Sequence, residues 1–251
     1  MDSFVVAVNA LVYEEAAGKA LFPDVLTPDE IRLLLSTVRN RTLSRKRGRG
    51  GALMPDRAPR SRIRPRDHLL LSLAYRYGLT GEELGRLLVR DVDLVEETIR
   101  IRRMNGTVRT YPLFLDLVPL CVEWEQDRWL PRWCGPDRLV VAAPPADQDF
   151  LFFHVRVRMT DSGPRLRPMT VQNIGAILVD TQQIAGLDRP AKFVTPGTIR
   201  RAIGAHLVAA GWTPAAVAAH LGLPSAYSPS LEEYRERLRT LATSRWLAPV
   251  S

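Results

Sequence analysis

The sequence predicts a mainly α-helical protein with small antiparallel β-hairpins, an α+β arrangement, and three observations lead there. Helix-start signals recur along the chain, at Thr27-Pro28-Asp29-Glu30, Thr80-Gly81-Glu82-Glu83, Thr195-Pro196 and Thr213-Pro214. In each, the threonine oxygen satisfies a free amide of the first turn, and a proline or glutamate completes the start. Asn105-Gly106 sits between two strand-like runs, and both residues of a tight hairpin turn need the positive φ that this pair tolerates. Finally, 46% apolar content at 25% charged residues over 251 positions suffices for one large folded domain or two small ones.

Taken in order, the first capping signal opens a helix that runs through Leu33-Leu34-Leu35 to about Val38. A second helix is expected over Asp67 to Tyr77, and the Thr80 capping box opens a third, ending about Val89. Thr98 to Arg103 and Thr107 to Pro112 form the hairpin about Asn105-Gly106. Leu115 to Trp129 reads as a helix, Phe150 to Arg158 and Arg165 to Arg167 as a second hairpin about Asp161-Ser162-Gly163, and Thr170 to Ala185 as a helix. The last two capping signals open helices that end near Ala210 and Leu221. No internal repeat is visible.

The chain is strongly basic, with a formal charge of +8, which points to a polyanionic partner. The charge is concentrated in residues 39–66, where Arg39, Arg41, Arg45, Lys46, Arg47, Arg49, Arg57, Arg60, Arg62, Arg64 and Arg66 face only Asp56. Such a block either contacts phosphates or is a solvated disordered loop, and Gly48, Gly50, Gly51, Pro55, Pro59 and Pro65 favour the loop. Cys121 and Cys134 are the only cysteines, too few for a zinc site or a disulfide framework, so no metal or cofactor is expected. The apolar run Phe4 to Val12 lacks a basic leader, is too short to span a bilayer and reads as a packing helix. No membrane partner is expected, and a reducing cytoplasm fits.

Val194-Thr195-Pro196-Gly197-Thr198-Ile199-Arg200-Arg201, followed by Ala205-His206-Leu207 and Ala210-Gly211, resembles the signature helix of the tyrosine recombinase, or phage integrase, family. Gly78-Leu79-Thr80-Gly81-Glu82-Glu83-Leu84, running into Asp91-Val92-Asp93-Leu94, is similar to a second segment of that family. The resemblance implies a catalytic-type domain over residues 26–235 with a basic insertion at 39–66 and a C-terminal tail at 236–251. Residues 1–25 would then stand where members usually carry a helical DNA-clamping domain.

The resemblance also implies a chemistry. In the family a tyrosine attacks a DNA phosphodiester, two arginines hold the non-bridging oxygens, a lysine protonates the leaving 5′ oxygen and two histidine-type positions assist. Charge develops on the phosphorus centre, and cations offset it only when they are already in place. On this chain the first arginine falls on Thr80, the lysine on Asn105, and the histidines on Gly197 and Leu223. Arg200 keeps the second arginine, and Tyr234 is the best nucleophile candidate, with Tyr227 as the alternative; either would otherwise pack with its hydroxyl in water. Arg76, four residues before Thr80, would reach the same phosphate if its helix directs it there. His220 reads as a half-buried, hydrogen-bonded residue. Arg103 and Arg109 flank Asn105 as DNA-backbone contacts or as solvated strand residues.

One lost donor costs about 10²- to 10³-fold and a lost phosphoryl-binding arginine about 10³- to 10⁵-fold, so four losses leave no practical turnover. The sequence therefore predicts a catalytically inactive, nucleoid-associated protein that binds double-stranded DNA. Arg45, Lys46, Arg47, Arg49, Arg60, Arg62 and Arg64 would grip phosphates from the insertion, and Arg103, Arg109, Arg200 and Arg201 from the groove. One rival is a working recombinase using Arg200 and Tyr234, with Arg76 or Arg201 replacing the lost cation. The other is an accessory subunit that meets a second copy or an active recombinase through the tail. There Leu238, Leu241, Trp246 and Leu247 form an apolar set that docks on a neighbour or folds back.

Overall fold

The computed structural model describes residues 25–40, 64–104, 106–128, 132–133, 139–140, 150–153, 158–160, 163–165, 167–187 and 193–223. Its helices, in chain order, are α1 (Pro28–Asn40), α2 (Arg64–Tyr77), α3 (Gly81–Arg86), α4 (Val118–Arg128), α5 (Val171–Ile184), α6 (Pro196–Ala209) and α7 (Pro214–Leu221). The strands are β1 (Val92–Asp93), β2 (Thr98–Arg102), β3 (Val108–Pro112), β4 (Arg132–Trp133), β5 (Leu139–Val140), β6 (Arg158–Thr160) and β7 (Gly163–Arg165). The first three form one antiparallel sheet in the order β1-β2-β3, and β4-β5 and β6-β7 are two-stranded.

The core is built around α2. Leu69, Leu70, Leu71, Leu73, Ala74 and Tyr77 are all buried, so the helix is apolar around most of its circumference and must be covered on several sides. Helices α1, α4 and α6 supply that cover, and α7 packs on α6. Each fully buried leucine contributes about 1.5 to 3 kcal/mol relative to an exposed one. No helix of the described residues is long and apolar enough to cross a membrane.

The local signals behave as the residue types require. Thr80, Thr195 and Thr213 each accept a backbone N–H from the third residue of the helix they open, and Thr27 accepts from Glu30 N at 3.1 Å. The first hairpin pairs Thr98 with Pro112 and Arg102 with Val108, and Gly106 holds φ +82° at its turn. Asn105 itself lies outside the described residues.

Several boundaries depart from the sequence expectation. Helix α3 stops at Arg86, short of Val89, because Leu87 is extended and the Asp91 carboxylate accepts Leu88 N at 3.0 Å, turning the chain into a short 3-10 turn over Val89–Asp91. Helix α2 begins at Arg64, three residues ahead of Asp67, with Pro65 in its first turn. The second hairpin is confined to β6 and β7, and Phe150 and Phe153 instead make isolated bridges to Leu88 and Pro168. Strands β1, β4 and β5 were not foreseen, since each is only two residues long.

Candidate functional site

The corner between α2 and α3 is the base of the site. Gly78 turns it with φ +60°, and a Cβ there would lie 2.2 Å from Leu221 Cδ2, so the corner fits closely against the end of α7. Two residues on, Thr80 is consumed by helix capping: its Oγ1 accepts Glu83 N at 3.2 Å, and its own N–H donates to Glu83 Oε2 at 2.9 Å. Glu83 is 3% exposed, and its Oε1 also accepts Met104 N at 3.3 Å. A carboxylate at the third helical position is favoured by the capping box and by the helix dipole.

Two arginines close on that carboxylate. Arg103, from the end of β2, places Nη1 3.4 Å from Glu83 Oε2, while its Nη2 donates to Tyr77 O at 3.0 Å, His220 O at 2.6 Å and the Tyr111 hydroxyl at 3.2 Å. Arg200, from α6, places Nη1 3.4 Å from the same Glu83 oxygen and donates to Gly78 O at 2.6 Å; its Nη2 donates to Leu221 O. Burial pulls the Arg200 pKa down and Glu83 opposes that pull, so the guanidinium charge is partly stabilised from within. Gly222, at φ +67°, completes the closure, because a Cβ there would meet Arg103 Cγ at 2.7 Å.

Helix α7 also brings His220 here. Its ring meets the edges of Tyr111 and Trp212 with centroids 5.7 Å away in each case. The residue is half-buried as expected, yet Nε2 has no hydrogen-bond partner. Burial first, and then the Arg103 charge, lower its pKa, so the ring is held neutral at neutral pH.

The residues singled out from sequence therefore separate into groups. Thr80, Arg103, Arg200 and His220 are brought together around Glu83. Gly197 is exposed in the first turn of α6, and an added Cβ would make only ordinary contact with Thr195, so nothing steric demands glycine there. Leu223 is half-buried just past α7, and Arg109 and Arg201 are exposed, Arg109 donating to Ala219 O at 2.8 Å. Arg76 pairs with Asp116 and lies over the Phe114 ring, 5.2 Å from its centroid. Asn105, Tyr227 and Tyr234 lie outside the described residues, as do Arg45, Lys46, Arg47, Arg49, Arg60 and Arg62 of the insertion, the 236–251 tail and the Arg64 side chain.

Arg103 is the main correction. Both readings expected for it, a DNA-backbone contact or a solvated strand residue, need a surface position, and its side chain is 0% exposed. The signal was present in the strand period: Ile99, Ile101 and Arg103 alternate onto one face, and the two isoleucines are core residues. Glu83 was read as a capping partner, and its second role as counter-ion to two arginines was missed.

Comparison with known proteins places this geometry. Residues 24–226 match the phage integrase family. The chain is 42% identical to the type 1 fimbriae regulatory protein FimE of Escherichia coli K12 over 74 residues, 29% of this chain and 36% of that protein. It is 31% identical to the tyrosine recombinase XerC of Roseiflexus sp. RS-1 over 170 residues, 67% of this chain and 47% of that protein. It thus spans less than half the length of these curated relatives. Among solved structures, the XerH site-specific recombinase bound to palindromic difH substrate shares the fold with a TM-score of 0.61 at 19% identity, covering 94% of this chain and 56% of that one. With its signature helix, Glu83 corner and small sheet arranged as described, and a family match over most of its length, this chain belongs to the phage integrase family of tyrosine recombinases.

Proposed function

We propose that this domain binds duplex DNA through phosphate contacts and does not transfer strands. The observation that carries the second half is the state of Thr80: where the family's first arginine belongs there is a hydroxyl, spent on capping α3. Gly197 and Leu223 add no group able to move a proton, and Asn105 supplies an amide in place of an ammonium. Binding is supported by family membership, by the +8 charge and its concentration in residues 39–66, and by the exposed Arg109 and Arg201. The related XerH was solved bound to its difH substrate. Contacts to phosphate carry little sequence information, so binding is expected to tolerate sequence.

One observation favours a second reading, a divergent but working recombinase: Arg103 brings a second guanidinium beside Arg200. Incubation with a nicked suicide duplex separates the two readings. The inactive domain shifts the duplex on a native gel and leaves no covalent species on a denaturing gel, whereas a covalent adduct establishes the enzyme. A chain that does neither favours the accessory interaction-subunit reading.

A further inference from the structure

A recess of about 380 Å³ opens between the 3-10 turn Val89–Asp91, strand β1 and helix α4, and it shares no lining residue with the Glu83 corner. Its floor is apolar. Cys121, Trp124 and Leu151 are 5%, 1% and 5% exposed, and Trp124 Nε1 donates to Leu151 O at 2.7 Å, so the polar atom of the indole is already satisfied. Burial first, and then the Glu125 charge, push the Cys121 thiol up to about 12, so the floor carries no charge at neutral pH. The volume lies near the lower end of ordinary ligand pockets and suits one small molecule.

The rim, by contrast, is charged. Arg90, Asp93 and Glu125 border the recess and are exposed. Asp93 Oδ1 accepts the N–H groups of Val95 at 3.0 Å and Glu96 at 2.9 Å. Arg90 and Glu125 form no ion pair, with each other or with any other described residue. Other surface arginines do take a carboxylate within reach, as Arg32 takes Asp29, Arg76 takes Asp116, Arg86 takes Glu82 and Arg100 takes Asp91. One cation and one anion thus border a single apolar recess without meeting.

We propose that this recess binds a free α-amino acid with a large apolar side chain. The ligand's carboxylate pairs with Arg90, its ammonium pairs with Glu125, and its side chain covers the Trp124 floor. Opposite charges on one rim select a zwitterion, because a plain acid or a plain amine would satisfy one of them and leave the other without a partner. The apolar floor selects among zwitterions, since only a large side chain removes that surface from water. The site stands apart from the DNA-binding function proposed above and does not rest on it.

The test is isothermal titration calorimetry of the full chain at neutral pH with L-phenylalanine, N-acetyl-L-phenylalanine, L-phenylalaninamide and glycine. The parent binds L-phenylalanine saturably, with a dissociation constant of about 1 mM or below. Blocking either ligand charge weakens binding by about tenfold, and glycine, which lacks the side chain, gives no saturable heat. Arg90→Gln brings L-phenylalanine down to the level of the amide and leaves the amide unchanged, because both then lack the same contact. Glu125→Gln does likewise for the N-acetyl compound. Both residues are exposed, so both variants keep the parent's melting temperature, and a loss of binding reports the contact and not the fold. A parent with no saturable heat, or binding that ignores both substitutions, overturns the proposal. A response to only one of the two also overturns it, since the ligand would then be a plain acid or a plain amine.

Discussion

Arg103 and Arg200 meet on one oxygen, Oε2 of Glu83, each at 3.4 Å, and they also strap the same two backbone segments together. Arg103 joins Tyr77 O to His220 O, and Arg200 joins the next carbonyl of each segment, Gly78 O to Leu221 O. Signature-helix and hairpin residues thus hold the α2–α3 corner against the end of α7, which ties the stability of the fold to these two guanidinium groups.

Arg200→Ala should therefore lower stability as well as DNA affinity. The substitution leaves two carbonyls without their donor in a site where Arg200 is only 15% exposed, a loss of about 2 kcal/mol. An Arg200 that only gripped phosphate would lose affinity with its melting temperature unchanged. Exposed Arg201 is the control, and Arg201→Ala should shift stability by no more than about 0.5 kcal/mol in urea denaturation.

Thr80→Ala should cost about 1 kcal/mol, the usual loss of a helix N-cap, and Thr80→Ser should recover most of it. Duplex affinity in a gel-shift titration should be unchanged in both variants. A binding loss confined to Thr80→Ala, at equal stability, would return Thr80 to the interface.

His206 makes stability depend on pH. Burial pushes its pKa down to about 4, with the Leu26 carbonyl opposing, below the ordinary 6.5. Between those values the unfolded chain binds a proton that the folded one excludes, so stability is full above pH 6.5 and falls as pH drops toward 4. The loss should reach about 3 kcal/mol and then level off. Urea denaturation across that window should show the slope in the parent and its loss in His206→Gln.

Residues 39–66 should dominate the salt dependence of DNA binding. If about five of their cations meet phosphates, changing Arg45, Lys46, Arg47, Arg49, Arg60, Arg62 and Arg64 to Ser should reduce the slope of log K against log salt by about 0.9 per contact, or four to five units. An unchanged slope would remove this segment from the interface.

Tyr234→Phe should alter neither DNA affinity nor stability by more than about 0.5 kcal/mol, and neither protein should form an adduct with nicked duplex. An adduct in the parent that disappears in Tyr234→Phe would mark a working recombinase, and one that persists would move the nucleophile to Tyr227.

What residue order alone supplied was the set of features with short-range causes. Capping at Thr27, Thr80, Thr195 and Thr213, the hairpin about Gly106 and the family signature around Arg200 all depend on neighbours within a few positions. They could be read without knowing the fold. The early stop of α3 could not be read in full, because beyond the local Asp91–Leu88 bond it rests on a bridge from Leu88 to the distant Phe150. Nor could the fate of the arginines. Whether a guanidinium faces water or the interior depends on which acceptors surround it, and the carbonyls around Arg103 and Arg200 are assembled only when α7 docks on the corner after α2. The strand period aimed Arg103 inward beside Ile99 and Ile101, but only the packed structure placed Tyr77, Tyr111 and His220 where their oxygens could receive it.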